Sequence, residues 1–326
     1  MSNTKTSPDL EQTIRLIQSH RDIYLATHLR PDGDALGSML GLALALEAGG
    51  HRVARLCTYP APSDYRFLPG ADLISATPPE WPVELGIVLD SDGIGRIGDL
   101  EPVFAALPQL VDIDHHATGN SFGHVRVVAP ASAATAEIIY DLLPAMGAQL
   151  TPDIATCLYT ALLTDTGRFA YSNTTERSLV IAAALVRAGA DPSYVAKMVY
   201  FQRSPAAVRL MGVALARLGL HFDGQVVSST LGLQDFAEVG AVHMDTEGIL
   251  DQIRTVGGPR IAVLLVETEG GEVRVSLRSD AEPDVSQIAL RFGGGGHRAA
   301  AGCTIKGTPA ETRALVLAAA KELFGL

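Results

Sequence analysis

Along the first half of the chain, short apolar runs alternate with Ala/Leu-rich amphipathic segments. This βαβ rhythm predicts a mostly parallel sheet with helices on both faces. Strands are expected at Ile23–His28, Val53–Cys57, Gly86–Asp90 and Gln109–Asp114. Helices are expected at Ala35–Ala48, stopped by Gly49-Gly50, at Ser132–Met146, and at Pro152–Thr164, where Thr151 supplies an N-cap and Pro152 a first-turn proline. From Thr174 to about Leu220 the pattern is mainly helical, with starts at Thr174/Thr175, Asp191-Pro192 and Ser204-Pro205. After Asp223-Gly224 strand-like runs take over at Gln225–Leu231, Ile261–Glu267 and Glu272–Leu277, followed by a glycine-rich loop and a final Ala-rich helix. The reading is therefore an α/β domain over 1–190, a helical linker over 191–220, and a smaller α/β domain over 221–326, with no internal repeat.

Composition narrows this picture. The 326 residues are 47% hydrophobic and 19% charged, the balance of a globular chain large enough for two cores. Cys57, Cys157 and Cys303 lie far apart without CxxC spacing, which suggests neither a disulfide framework nor a thiolate zinc site and fits a reducing cytoplasm. The polar stretch Met1–Leu10 lacks the basic and apolar regions of a signal peptide, and runs such as Leu36–Ala48 are too short to span a bilayer. Neither export nor membrane insertion is expected.

The net charge of −11 argues against broad electrostatic binding to long nucleic acid, which depends on many Lys and Arg contacts to phosphate. From Gly219 onward there are nine Lys and Arg against fourteen Asp and Glu, so the second domain offers no extended basic track. A phosphate substrate would need bound cations or a local group of arginines.

Several acids and histidines stand just past predicted strand ends: His28, Asp32 and Asp34 after the first strand, Asp90 after the third, and Asp114, His115 and His116 after the fourth. In an open parallel sheet these ends share one crevice. Asp165, closing the helix that starts near Pro152, can join them. Carboxylates and imidazoles without thiolates suit Mn²⁺ or Mg²⁺, with Mn²⁺ favoured by the histidines and Co²⁺ a further substitute. Taken singly, Pro31-Asp32-Gly33-Asp34 is a polar turn, His115-His116 is incidental, and Asp90 and Asp165 are element ends facing water. Those readings do not account for all four pieces occurring in order at element ends.

In the second domain, Gly293–Gly296 followed by His297 and Arg298, with Arg278 on a strand edge, reads as backbone N–H groups and cations that cradle an anion. Glycines at Gly294, Gly295 and Gly296 let the backbone approach phosphate oxygens, and arginine grips them bidentately. Gly37-Ser38 can be read either as phosphate-facing N–H groups or as tight helix packing. Tyr65, Arg66, Phe67 and Tyr171 can stack on a base or fill the core.

His28-x-x-x-Asp32-x-Asp34, Asp90, Asp114-His115-His116 and Asp165 together resemble the successive motifs of the DHH phosphoesterase superfamily. The run from Gly293 to Gly302 resembles the signature of its DHHA1 domain. The resemblance covers nearly the whole chain and is most like the oligoribonucleases called nanoRNases, many of which are similar to 3′-phosphoadenosine 5′-phosphate phosphatases. It implies two divalent cations: one held by His28, Asp32 and Asp90, the other by Asp34, Asp90, His115 and Asp165, with Asp90 bridging. It further implies that His116 faces the substrate phosphate and that Asp114 orients a histidine. Asp92 and Arg298 depart from the pattern and bear on substrate choice.

The expected activity is hydrolysis of RNA of a few nucleotides to nucleoside monophosphates, with 3′-phosphoadenosine 5′-phosphate and linear or cyclic dinucleotides as further substrates. Pyrophosphate or polyphosphate hydrolysis and a silent nucleotide sensor are the alternatives. Pairing of two copies through an edge or helix of the first domain is left open.

Overall fold

The computed structural model describes residues 7–116, 120, 122–280 and 282–324, without the His297 side chain. The chain forms two compact units, residues 1–202 and 203–326.

The first unit runs α1 (Pro8–Ser19), β1 (Asp22–Thr27), α2 (Gly33–Ala48), β2 (Arg52–Leu56), β3 (Ile74–Ser75), β4 (Leu85–Leu89), α3 (Glu101–Ala105), β5 (Gln109–Asp114), β6 (Val125–Val128), α4 (Thr135–Ala145), α5 (Pro152–Asp165), α6 (Glu176–Arg187) and α7 (Pro192–Tyr200). Its six strands are parallel throughout, in the order β3-β2-β1-β4-β5-β6. The order reverses between β1 and β4, and such a switch point opens a crevice at the C-terminal ends of the strands.

The two faces are covered unequally. Ile23, Leu25, Ile87 and Val111 join α2, α4 and α5 in the larger core, while Tyr24, Val88 and Leu110 meet the short helical segment around Ile97 and Phe104. Helix α2 is buried at all but three of its sixteen positions, which is why it reads as apolar nearly all round. Its glycines sit against α5: a Cβ on Gly37 would lie 2.4 Å from the Cys157 carbonyl, and one on Gly33 2.3 Å from the Thr164 hydroxyl. Of the two readings of Gly37, close helix packing is the one the contacts support.

The second unit runs α8 (Pro205–Ala216), β7 (Gly219–His221), β8 (Val226–Leu231), α9 (Leu233–Val239), α10 (Ile249–Ile253), β9 (Ile261–Thr268), β10 (Glu272–Ser279), α11 (Ser286–Arg291), β11 (Gly295–His297), β12 (Ala300–Lys306) and α12 (Pro309–Leu323). Its sheet has the order β11-β12-β10-β9-β8-β7, antiparallel except for the β8–β9 pair. One core lies toward α11 and α12 and the other toward α8, α9 and α10.

Two segments differ from the sequence reading. The stretch 191–220 is divided: α7 packs on the first unit, where Tyr194 meets Phe67 edge-on at 5.5 Å, and α8 contributes Leu210 and Ala214 to the second unit. The glycine-rich stretch is largely an edge strand rather than an open loop, because β11 pairs with β12. Gly294 and Gly296 are needed for that approach. A Cβ on Gly294 would fall 2.2 Å from the Gly302 carbonyl, and Gly296 has φ of 136°, which an L side chain rarely adopts.

Candidate metal centre

The site begins with how the chain leaves each strand. After β1 comes His28, and then Asp32 caps α2: its Oδ1 accepts from the Asp34 and Ala35 amides, both at 3.1 Å. This cap starts the helix two residues before the expected Ala35 and brings Asp34 onto its first turn, buried. After β4, Asp90 takes φ of 55°, a left-handed conformation uncommon outside glycine but tolerated by aspartate. That turn places a carboxylate only 3% exposed at the switch point between β1 and β4. After β5, Asp114 ends the strand and His115 and His116 follow, their rings 4.8 Å apart. Asp165 is the last residue of α5.

The donors converge in two overlapping groups. His28 Nε2 lies 3.9 Å from Asp32 Oδ1 and 3.8 Å from Asp90 Oδ2. His115 Nε2 lies 3.8 Å from Asp34 Oδ2, 3.6 Å from Asp90 Oδ1 and 3.6 Å from Asp165 Oδ2. The two oxygens of Asp90 therefore face different histidines. These separations exceed the roughly 3 Å of a hydrogen bond but suit ligands sharing an ion about 2.1 Å from each. His28, Asp32 and Asp90 form one candidate ligand cluster and Asp34, His115 and Asp165 another, and a third grouping of Asp90 with His115 and His116 links the two.

Electrostatics support this reading. Burial, followed by the charges of Asp34, Asp32, Asp165 and Asp114, pushes the Asp90 carboxyl well above the usual carboxylate range. Burial and the charges of Asp34 and Asp32 do the same to Asp165. Burial also raises Asp34, against the opposing pull of His115, and lowers His28, keeping its imidazole neutral. Crowded carboxylates, most of them buried, are a poor arrangement without a positive ion and a good one with it.

The histidines are oriented from behind. The Ser132 carbonyl can only accept, so His115 Nδ1, at 3.2 Å, donates to it and leaves Nε2 free toward the acids. His116 Nδ1 lies 2.6 Å from Asp114 Oδ1, and Asp114 Oδ1 also accepts from the His115 amide at 2.8 Å. Burial pulls His116 down, but the Asp114 bond and charge outweigh it and leave its pKa raised. The same pairing leaves Asp114 lowered despite its burial. Asp92 stays outside the cluster, 3.3 Å from Arg96.

Three groups hold the site together in roles that sequence reasoning missed. Ser38 Oγ donates to Asp34 Oδ1 at 2.8 Å, and Thr135 Oγ1 to Asp90 Oδ1 at 3.0 Å. Asn173 Nδ2 donates to the Asp165 and Ala133 carbonyls, both at 3.1 Å. The only sequence signal was their nearness to helix starts.

In the second unit, Arg278 is half-buried on β10 and has no acidic partner among the described residues. With Arg254, Arg260, Ser279 and Asp280 it lines a cavity of about 30 Å³. Arg254 and Arg260 are further residues the sequence reading passed over. Arg298, expected to grip an anion, is instead paired with Glu282 and with Asp284 at 3.8 Å. The His297 side chain lies outside the described residues. Tyr65 is buried and Phe67 packs on the first core, so neither offers a base platform, while Tyr171 is exposed.

Oxygen and nitrogen donors gathered at the C-terminal edge of an open parallel sheet define a class of site built for hard divalent cations. Two family models match this chain: the DHH family N-terminal domain over residues 22–162 and the DHHA1 domain over residues 227–325. The bifunctional oligoribonuclease and PAP phosphatase NrnA of Thermus thermophilus is 39% identical, over 87% of this chain and 84% of its own. The Bacillus subtilis protein of the same description is 29% identical, over 90% of this chain and 92% of its own. A solved structure of an exopolyphosphatase-related protein from Bacteroides fragilis shares the fold, with a TM-score of 0.93 at 24% identity and 100% coverage of both chains. The chain belongs to the DHH family, whose phosphoesterases depend on divalent metals, and carries a DHHA1 domain after the DHH domain. No single helix among the described residues is long and apolar enough to cross a membrane.

Proposed function

We propose that this chain hydrolyses short oligoribonucleotides to nucleoside monophosphates and removes a phosphate from 3′-phosphoadenosine 5′-phosphate, using two Mn²⁺ ions. The observation that carries the reading is Asp90, a buried carboxylate whose two oxygens face two separate groups of ligands. His28, Asp32 and Asp90 would hold one ion, and Asp34, Asp90, His115 and Asp165 the other. When bound, the pair supplies a water of lowered pKa and neutralises charge on the phosphorus.

The remaining work falls to the chain. Asp114 holds the His116 ring through Nδ1, and His116 would meet a phosphate oxygen or the departing oxygen, its raised pKa favouring the protonated ring. His115 is locked in one tautomer by Ser132. Arg278, half-buried in the second unit and without an acidic partner among the described residues, would grip an anionic oxygen. Three buried free cysteines fit work in a reducing cytoplasm.

The test is kcat/KM for Mn²⁺-dependent cleavage of single-stranded RNA from two to about 24 nucleotides at moderate salt, beside 3′-phosphoadenosine 5′-phosphate and pyrophosphate. Efficiency should fall steeply beyond a few nucleotides, because residues 219–326, with nine Lys and Arg against fourteen Asp and Glu, offer no extended basic track for a longer backbone. Equal or rising efficiency with length would point to a processive exonuclease, and turnover of pyrophosphate alone to a pyrophosphatase.

A further inference from the structure

We infer that Thr135 is the positioning residue that makes Asp90 a bridge rather than a ligand to one ion, an inference that rests on the two-cation reading above. Thr135 is fully buried at the first turn of α4. Its amide donates to Asp34 Oδ2 at 2.6 Å, and its hydroxyl to Asp90 Oδ1 at 3.0 Å. One residue thus bonds an acid from each ligand cluster.

The two acids depend on it differently. Asp34 also accepts from the Ala136 amide at 3.1 Å and from Ser38 at 2.8 Å. It caps α4 from another helix, since Ala134 at the N-cap position has no side chain to do so. Loss of the Thr135 hydroxyl leaves every one of these bonds intact. Asp90 has no such reserve: the Thr135 hydroxyl is the one hydrogen-bond donor to its carboxylate among the described residues.

The geometry of a carboxylate makes this bond decisive. The terminal torsion of aspartate is broad and roughly twofold, so nothing intrinsic stops both oxygens turning toward one ion. The hydroxyl occupies one lone-pair direction of Oδ1. The other is left toward His115, 3.6 Å away, while Oδ2 is held toward His28 at 3.8 Å. The left-handed backbone at Asp90 sets where the carboxylate sits; Thr135 sets how it is turned.

The test titrates Mn²⁺ alone into the metal-stripped full chain, reading stoichiometry and affinity by calorimetry and magnetic coupling between adjacent ions by electron paramagnetic resonance. The wild type should take two coupled ions. Thr135→Val and Thr135→Ala should keep one ion but bind the second ~10- to 100-fold more weakly and lose the coupled signal, as for other residues behind metal ligands. Thr135→Ser should restore both readouts. In turnover, Val and Ala should lower kcat at saturating Mn²⁺ with little change in KM. Ala serves as the second probe because it is a good helix former at this position, and the metal-free melting temperature shows that each variant folds. Two coupled ions at wild-type affinity in a folded Val or Ala variant would overturn the role of Thr135. A single uncoupled ion in the wild type would instead overturn the two-cation reading beneath it.

Discussion

The carboxylates of the first unit and the arginines of the second face opposite constraints. Asp34 and Asp90 are 1% and 3% exposed and are held by amides and hydroxyls that are themselves buried. Arg254, Arg278 and Arg298 stand at one end of the second sheet, half-buried or exposed, and where they have partners these are exposed or half-buried acids such as Asp280, Glu282 and Asp284. Buried like charges cost free energy until a cation joins them, whereas exposed ion pairs contribute little and exchange readily for another anion. The first arrangement defines a fixed position for chemistry, and the second an adaptable grip.

The largest expected effect breaks the fixed side. Asp90→Ala removes the shared carboxylate and should lower turnover by ~10³-fold or more while loosening both ions. Near-normal rates with unchanged metal content by mass spectrometry would show that Asp90 is not the shared ligand.

Asp112 sharpens the contrast, because it is a buried acid of the same unit outside both ligand clusters. It is 2% exposed, Arg126 Nε donates to its Oδ2 at 3.2 Å, and Oδ1 has no hydrogen-bond partner among the described residues. Burial pushes its carboxyl up to about 7, with Arg126 only partly opposing. A carboxyl raised on folding adds stability below its unfolded value of 3.8, and that stability is lost as pH rises through about 7. Asp112→Asn should therefore flatten the fall in melting temperature between about pH 4 and pH 7 and be the more stable protein at the upper end, by on the order of a few kcal/mol. An unchanged pH profile would show that this acid is not neutral in the fold.

On the adaptable side, Arg278→Ala should raise KM by ~10-fold, the weight of one charge-assisted hydrogen bond, without altering bound metal. Loss of Mn²⁺ in that variant would contradict the separation of roles. Arg298→Ala should be the mildest, within ~3-fold in kcat/KM, because its guanidinium is engaged with Glu282 and Asp284 at the surface. A much larger loss would mean that substrate displaces those acids and takes the arginine for itself.

What was legible in the sequence follows from the same difference. Parallel strands read as largely apolar runs, so the ionisable residue closing each run announced a crevice position, and His28, Asp90 and Asp114 stood out. Thr135 and Ser132 gave no such signal, because their roles arise from a carbonyl, an amide and a hydroxyl brought close by tertiary packing. Helix α1 escaped notice because only Leu10, Thr13 and Ile17 of its twelve residues are buried. Strand β6 is a four-residue edge, too short for its alternation to register. The glycines of β11 suggested an open loop, since a pattern of glycines cannot distinguish room for a ligand from room for a neighbouring strand.

The seam between α2 and α5 joins the two helices that carry Asp34 and Asp165. A methyl group at Gly37 would meet the Cys157 carbonyl at 2.4 Å and the Ala161 side chain at 2.8 Å, so α5 would have to lift. Ala161 lies one helical turn before Asp165, and a stiff helix carries a displacement along its axis with little loss. Gly37 thus acts as the fulcrum of a lever whose tip is a ligand: a single added carbon changes the bite of the site.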